Sequence, residues 1–184
     1  MTPEALKILG ECLGAVAVAE GFFIYFSRTR GRILAFKFIS DLLWGFNMLC
    51  LGNLTGALLN AVAMGRETVF SLREKKRFFA SPFWLVFFLV VTAISPMYSL
   101  ISGKESFIAI LPAAGSLLAV IGFYQSKPQL IRLIGLVAQS LWLVYALLSH
   151  NLSSTVGNAV LIVSSLAGVL RAVIHAKKQQ EETF

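Results

Sequence analysis

Long apolar segments separated by short polar breaks occupy almost the whole chain. Backbone groups in hydrocarbon have no partner outside their own segment, so each stretch of about 20 apolar residues is read as a membrane-spanning helix. The first segment is read as a retained span rather than a cleaved leader, because Glu11 lies in its apolar core. The seven predicted spans are Ile8 to Ser27, Ile33 to Leu51, Leu54 to Leu72, Pro82 to Leu100, Phe107 to Gln125, Leu130 to Leu148 and Ser153 to Val173.

The composition excludes an ordinary water-soluble domain. Of the 184 residues, 57% are hydrophobic and 14% are charged, and the mean hydropathy is +0.78. Soluble proteins are about 45–50% apolar and about 25% charged. Seven spans leave no room for a second, soluble domain. The two cysteines, Cys12 and Cys50, lie in apolar segments and predict neither a disulfide framework nor a metal site.

The chain contains an internal repeat with an offset of 98 residues. This offset aligns Trp44 with Trp142 and Asn60 with Asn158, and 11 of the 41 positions from 33 to 73 are identical. It carries the first three spans onto the last three and leaves the fourth without a counterpart. Two copies inserted the same way up need one extra crossing, so we expect an all-α membrane protein of two parallel three-helix bundles joined by a linker helix. The predicted units are residues 1–77, 78–103 and 104–184.

Lysine and arginine lie mostly in alternate connections, on one side of the predicted membrane. That side holds fourteen of the sixteen, and the other side has Lys7 and Lys104. The positive-inside rule therefore predicts a periplasmic N-terminus and a cytoplasmic C-terminus. Topology accounts for the net charge of +7, and without a basic surface interleaved with aromatic residues no nucleic-acid binding is expected. The basic side comprises Arg28, Arg30, Arg32, Lys37, Arg66, Arg73, Lys75, Lys76, Arg77, Lys127, Arg132, Arg171, Lys177 and Lys178.

Three segments carry a resemblance to known membrane proteins. They are the basic loop Ser27 to Arg32, the stretch Ala57 to Ala61, and Leu141 to Tyr145 followed by Asn158. With its repeat and predicted topology, the chain resembles the SWEET, SemiSWEET and PQ-loop superfamily of transporters. SWEETs are an example of transporters built from parallel repeats. More closely, it resembles the YgjV family of bacterial inner-membrane proteins. The resemblance implies a SWEET-like arrangement of three, one and three helices.

Two tryptophans and two asparagines are predicted at one depth in the membrane. At about 1.5 Å per residue, Trp44 and Asn60 lie about 10 Å below the outer boundary, and the repeat places Trp142 and Asn158 level with them. Indole faces stack on sugar-like rings and carboxamides bond to hydroxyls, so these are candidate solute-binding residues. The resemblance implies the same role, because matching residues line the pocket in SWEET-like families. Alternatively, the asparagines join neighbouring helices and the tryptophans fill the core.

Charged side chains within the spans form a second candidate site. A charge at the centre of a span costs about 2.5–3.5 kcal/mol on insertion scales and suggests a function. Asp41 lies midway along the second span with Lys37 one turn away, and Glu20 at similar depth competes for Lys37. Arg66 and Glu67 are read as an ordinary ion pair near a helix end. The alternative to a gate sensitive to protons or cations is a static ion pair. The candidate gating or coupling residues are Asp41, Lys37, Glu20 and Gln139, the last being the equivalent of Asp41 in the second repeat.

These features favour a transporter or facilitator for a small, sugar-like or otherwise polar solute, working by alternating access. Two alternatives stay open. One is a receptor or scaffold of the same architecture that binds a cytoplasmic partner or anionic lipid, and the other is an ion-coupled carrier for a small charged solute. No catalytic pair, phosphate loop or metal-ligand spacing occurs, so no enzyme activity, cofactor or metal is expected. The expected partners are a solute and membrane lipid in the bacterial inner membrane, with homo-oligomer formation left open.

Overall fold

The computed structural model describes residues 2–52, 54–101, 108, 110–150 and 152–181. All regular elements in these ranges are helical, which confirms the predicted all-α class. A 3-10 helix, Arg77–Ala80, precedes the fourth α-helix. The α-helices are α1 (Pro3–Phe26), α2 (Arg30–Cys50), α3 (Leu54–Leu72), α4 (Phe83–Ile101), α5 (Ile110–Tyr124), α6 (Pro128–Leu148) and α7 (Leu152–Glu181).

Each predicted span coincides with one helix, and the differences lie at the ends. Helix α1 begins at Pro3, earlier than the apolar pattern indicated, because Thr2 caps it by accepting a hydrogen bond from the Ala5 amide at 3.3 Å. Helix α7 continues eight residues past the predicted end, as far as Glu181. The predicted start of the fifth span at Phe107 lies outside the described residues. The apolar pattern therefore failed to predict the polar residues that extend these helices beyond the predicted spans.

Four helical segments among the described residues are long and apolar enough to cross a membrane. They are Glu4–Phe26, Arg30–Cys50, Pro128–Leu148 and Ser154–His175. Helices α4 and α5 contribute shorter apolar stretches, Phe83–Ile94 and Ile110–Tyr124. By length and composition these helices suit a membrane, as predicted, while the count of seven crossings and the orientation of the termini stay predictions.

Six of these helices contact one another in a closed cycle. Their order is α1, α2, α3, α5, α6 and α7, with α7 packing back against α1. Helices α2 and α6 also touch, and α4 packs on α5. Exchanging α1 with α5, α2 with α6 and α3 with α7, which is the exchange that the 98-residue offset defines, leaves this order unchanged. The arrangement of two parallel three-helix bundles and a linker stays a prediction. The contact between α1 and α7 is extended, however, whereas its counterpart between α3 and α5 is small. We call α1 to α3 the first triplet and α5 to α7 the second triplet.

Hydrogen bonds join the triplets at one end of the bundle, where α1, α3 and α5 terminate and α2 and α6 begin. Arg30 at the start of α2, for example, donates to the carbonyl oxygens of Phe70 and Gln125. We call this end the basic end and the opposite one the far end. A cluster of buried apolar side chains also lies towards the basic end, and it includes Tyr25, Phe70, Phe88 and Phe123. In lipid such tight packing holds helices together, because acyl chains are as apolar as the side chains.

Much of the outer surface consists of large apolar side chains. Leu54, Val90 and Leu170 are each more than half exposed, and exposed large apolar side chains occur on every helix of both triplets. A monomeric soluble protein rarely exposes an apolar patch of more than about 300–600 Å². This surface is therefore suited to lipid.

Candidate functional site

The helix bounds place the four predicted pocket residues at a common depth. Trp44, Asn60, Trp142 and Asn158 each lie six residues from the far end of their helices. This separation corresponds to about 9 Å along the helix axis. Their proposed role in solute binding stays a prediction.

In the first triplet, Trp44 and Asn60 pack against neighbouring helices. The Trp44 ring faces Gly14 of α1, where a Cβ atom would lie 3.8 Å from its Cζ3 atom. Asn60 of α3 packs against α2 at Gly45. One turn beyond Trp44, the Asn47 amide donates to the Gly10 carbonyl at 2.7 Å. Trp44 therefore sits where α1 and α2 meet.

In the second triplet, Trp142 and Asn158 have comparable positions. Trp142 packs so closely on Gly115 of α5 that a Cβ atom there would lie 2.8 Å from its Cδ1 atom. The Asn158 amide donates to the Ser154 carbonyl one turn earlier in its own helix, at 2.7 Å. Like those of Trp44 and Asn60, these contacts join residues of a single triplet. A chamber shared by both triplets stays a prediction.

Lys37 and Asp41 form the ion pair that their spacing predicts. The Lys37 Nζ atom contacts the Asp41 Oδ1 atom, and both side chains are mostly buried. Their role in gating or coupling stays a prediction. The Asp41 Oδ2 atom is buried without a hydrogen-bond partner, so one half of this carboxylate is unsatisfied.

Arg66 and Glu67 form a buried pair, which differs from the ordinary helix-end pair expected from their sequence position. Arg66 is 7% exposed and Glu67 is 1% exposed. The Arg66 guanidinium donates two hydrogen bonds to the Glu67 Oε1 atom, at 2.7 and 3.0 Å, and lies 5.4 Å from the centre of the Phe123 ring. α3 turns this pair inwards, and no apolar periodicity revealed that orientation.

Glu20 completes a group of ionisable side chains at the interface of α1, α2 and α3. Lys37, Ser40 and Asp41 interact with the Glu20 carboxyl group, and the Ser40 hydroxyl lies within hydrogen-bonding reach of it. Both Glu20 oxygens are buried, and neither receives a well-formed hydrogen bond. We call this group the charged layer. It consists of Glu20, Lys37, Asp41, Arg66 and Glu67.

The charged layer belongs to one triplet. The repeat offset pairs Arg66 and Glu67 with Ser164 and Ser165, which are fully buried and neutral. Ser164 donates to the Phe22 carbonyl and accepts from the Phe26 amide, while Ser165 donates to the Arg132 carbonyl at 2.7 Å. The other three charged positions correspond to Leu118, Gly135 and Gln139. The second triplet thus uses hydrogen-bonded packing where the first carries charges.

Two aromatic rings related by the offset stack against each other between the triplets. The centres of the Tyr25 and Phe123 rings are 6.2 Å apart, with 10° between the ring planes. Both side chains are 1% exposed. Gln139 lies within hydrogen-bonding reach of Tyr25, which also interacts with Arg66, Asp41 and Glu67. The stack therefore connects the charged layer with the second triplet.

Two buried arginines reach across to the opposite triplet. Arg30 of α2 donates to the Gln125 carbonyl after α5 at 2.8 Å, and Arg132 of α6 donates to the Ser27 carbonyl after α1 at 2.6 Å. Positions 27 and 125 are equivalent under the offset, although positions 30 and 132 are not. Arg132 also donates to the Tyr25 carbonyl at 2.8 Å. These bonds satisfy carbonyls at helix ends.

A second pair of arginines repeats the crossing with aromatic partners. The Arg73 guanidinium lies 3.8 Å from the centre of the Tyr124 ring, and that of Arg171 lies 4.7 Å from the Phe26 ring. The two arginines are equivalent under the offset, and so are their ring partners, Phe26 and Tyr124. Several of the basic residues therefore hold the triplets together, besides predicting the orientation of the chain.

Close backbone contact at the basic end gives a testable effect on stability. A Cβ atom at Gly168 would overlap the Tyr25 carbonyl oxygen and lie 2.8 Å from the Arg132 Nε atom. We therefore expect Gly168→Ala to lower the free energy of unfolding by about 1–3 kcal/mol, as overpacking does. Thermal unfolding in detergent measures this loss.

Gly65→Ala is the control for Gly168→Ala. A Cβ atom at Gly65 meets nothing within 4 Å, and alanine is the better helix former. Its melting temperature should be unchanged or slightly raised. Equal losses in the two variants would contradict the close contact between α7 and α1.

The apolar helices and their lipid-facing surface define an integral membrane protein. The model of a family of bacterial inner membrane proteins, Imp-YgjV, matches residues 8–175. The chain therefore belongs to the Imp-YgjV family and is an integral inner membrane protein. No curated protein and no solved structure matches it. Among the described residues, no group of three or more His, Cys, Asp or Glu side chains is arranged to hold a metal ion.

Proposed function

We propose that the protein is a transporter or facilitator for a small polar solute, and that it works by alternating access between two parallel triplets. The observation that carries this proposal is the two-fold helix cycle, in which the equivalent residues Tyr25 and Phe123 meet between the triplets. Two equivalent units around one axis can rock against each other and expose a central site to either side in turn. The linker helix is α4.

The charged layer adds a second argument for transport. Ionisable groups inside a membrane are expensive and usually mark a pathway for ions or solutes. A protein that only presents loops to a partner does not require five ionisable side chains between its helices. The layer lies between the basic end and the depth of Trp44 and Asn60, so a solute moving between the two sides passes close to it.

In this proposal the basic end faces the cytoplasm and is closed. Its basic residues predict the orientation. The buried Tyr25 and Phe123 rings and the crossing arginines Arg30 and Arg132 close it. Opening towards the cytoplasm then requires these contacts to break. The solute stays bound to the pocket residues near the far end until they do.

The test is uptake of a panel of radiolabelled monosaccharides by proteoliposomes. For a sugar that the wild type moves, we expect the Asn60→Ala, Asn158→Ala double variant to lose about tenfold in flux. Each amide hydrogen bond is worth about 0.5–1.5 kcal/mol, and about 1.4 kcal/mol corresponds to a factor of ten.

Ser140→Ala is the matched control, because Ser140 is exposed and donates to the Leu136 carbonyl of its own helix at 2.9 Å. It should keep the wild-type flux. Unchanged flux in a variant lacking Trp44, Asn60, Trp142 and Asn158 would overturn the assigned pocket. Absence of flux for every solute, together with binding of a partner through the basic loops, would favour the scaffold alternative.

A further inference from the structure

The charged layer contains more acidic than basic side chains. Helices α1, α2 and α3 contribute three carboxyl groups, from Glu20, Asp41 and Glu67, and two cations, from Lys37 and Arg66. The members interact with one another: Lys37 and Asp41 act on Glu20, and Arg66, Asp41 and Lys37 act on Glu67. If all five groups were ionised, the layer would carry one uncompensated negative charge.

The hydrogen bonding of the layer shows the same deficit. Four carboxyl oxygens are buried without a well-formed hydrogen bond, namely both oxygens of Glu20, Oδ2 of Asp41 and Oε2 of Glu67. The Ser40 hydroxyl lies within reach of Glu20, but it is neutral and supplies no positive charge. Asp41 is 4% exposed and Glu67 is 1% exposed, and both Glu20 oxygens are buried although that side chain is partly exposed, so open solvent does not supply the missing donors. A buried carboxylate without a donor is strongly unfavourable and takes up a proton instead.

The contacts described for the other helices add no positive charge to the layer. Gln139 of α6 lies within hydrogen-bonding reach of Tyr25, and Phe123 of α5 stacks on the Tyr25 ring. From α7, Leu161 packs against Gly21, next to Glu20. These neighbours are neutral, so they do not balance the excess carboxyl group.

We propose that the charged layer is a binding site for one exchangeable proton, which Glu20 holds in this conformation. Lys37 is paired with Asp41 and Arg66 with Glu67, so Glu20 is the carboxyl group without a counter-ion. When Lys37 moves from Asp41 to Glu20, the proton leaves Glu20 and Asp41 takes it up, which keeps the layer neutral. The proton site itself does not depend on the proposed transport function. Coupling of this proton exchange to solute transport does.

A proton fits the layer better than a metal ion does. In the described ranges no three acidic, His or Cys side chains are arranged to share a metal ion, and Arg66 already occupies one Glu67 oxygen. A cleft lined in part by the apolar side chains of Leu34, Phe38 and Ile39 reaches the layer from the basic end. This cleft of about 410 Å³ lies between α2 and α3 and is also lined by Gly31, Thr68, Ser71 and Glu67.

The test is infrared spectroscopy of the full-length protein in lipid nanodiscs at neutral pH. A protonated carboxylic acid gives a C=O stretching band that ionised carboxylates lack. We expect one such band in the wild type. It should be lost in Glu20→Gln, in Asp41→Asn and in Glu67→Gln, because each variant leaves two carboxyl groups facing two cations. Lys37→Gln should about double the band, since three carboxyl groups then face one cation.

Glu4→Gln and Glu11→Gln are controls, because both residues are exposed and lie outside the layer. Their spectra should keep the band. Absence of the band in the wild type, its survival in all three layer variants, or its loss only in a control would overturn the proposal. The measurement needs no solute, so the proton site stands even if no flux is found, and a failed flux assay would remove only its use in coupling.

Discussion

Replacing Arg66 by leucine is expected to lower the free energy of unfolding by about 3–5 kcal/mol, the loss found when one partner of a buried ion pair is removed. Arg66 makes both hydrogen bonds to the Glu67 Oε1 atom and also interacts with Asp41. Without it, three carboxyl groups face Lys37 alone. Unfolding in mixed detergent micelles, followed by circular dichroism, measures the loss.

Substitution of the acidic partner, Glu67, distinguishes a layer with a net negative charge from a simple ion pair. Glu67→Leu leaves Glu20 and Asp41 facing two cations, so we expect a smaller loss than for Arg66→Leu. The Arg66→Leu, Glu67→Leu double variant should also be more stable than Arg66→Leu, because apolar replacement of a whole buried pair is often neutral. Equal losses in the two single variants would contradict the excess of carboxyl groups.

The double variant Arg30→Gln, Arg132→Gln is expected to open the basic end. Each arginine donates two hydrogen bonds to backbone carbonyls, and Arg30 and Arg132 each hold the opposite triplet. Such bonds to a charged donor are worth about 1.5–3 kcal/mol, so losing them should raise the open population about tenfold or more. The measurement is the rate at which Gln139→Cys, in a Cys12→Ser, Cys50→Ser background, reacts with an impermeant maleimide added at the basic end.

The control is Arg28→Gln, Arg32→Gln, which removes two exposed arginines from the same end. It lowers the net charge equally, so its labelling rate should match the wild-type rate. If the Arg30, Arg132 double variant is less stable but labels no faster, the arginines only hold the fold and do not close a gate.

The predicted sites met different outcomes in the structure. The spacing of Lys37 and Asp41 correctly indicated an ion pair, because residues four apart face the same side of a helix. The burial of Arg66 and Glu67 was missed, since a position near a helix end is compatible with a wet surface as well as with the interior. One signal was available: the repeat pairs these residues with two serines, which suggests an inward face.

For the predicted pocket residues, the repeat predicts depth along the helices but not the direction of the side chains. It correctly placed Trp44 and Trp142 at equal distances from their helix ends, because depth depends only on residue count and helical rise. It gave no information on the direction of their side chains. The structure packs each ring against the first helix of its own triplet, at Gly14 and Gly115.

Helix type, approximate helix bounds and the membrane location follow from the amino-acid pattern alone, because lipid requires apolar helices that satisfy their own backbone groups. The repeat likewise predicts which helices correspond. Folding in three dimensions decided that Glu20, Asp41 and Glu67 share two cations, and that Arg30 and Arg132 cross between triplets. The arginine contacts join residues about 100 positions apart, and the two arginines are not related by the offset. The contacts of the charged layer join three helices of one triplet. They depend on how the helices rotate and pack, and no local pattern in the chain specifies that.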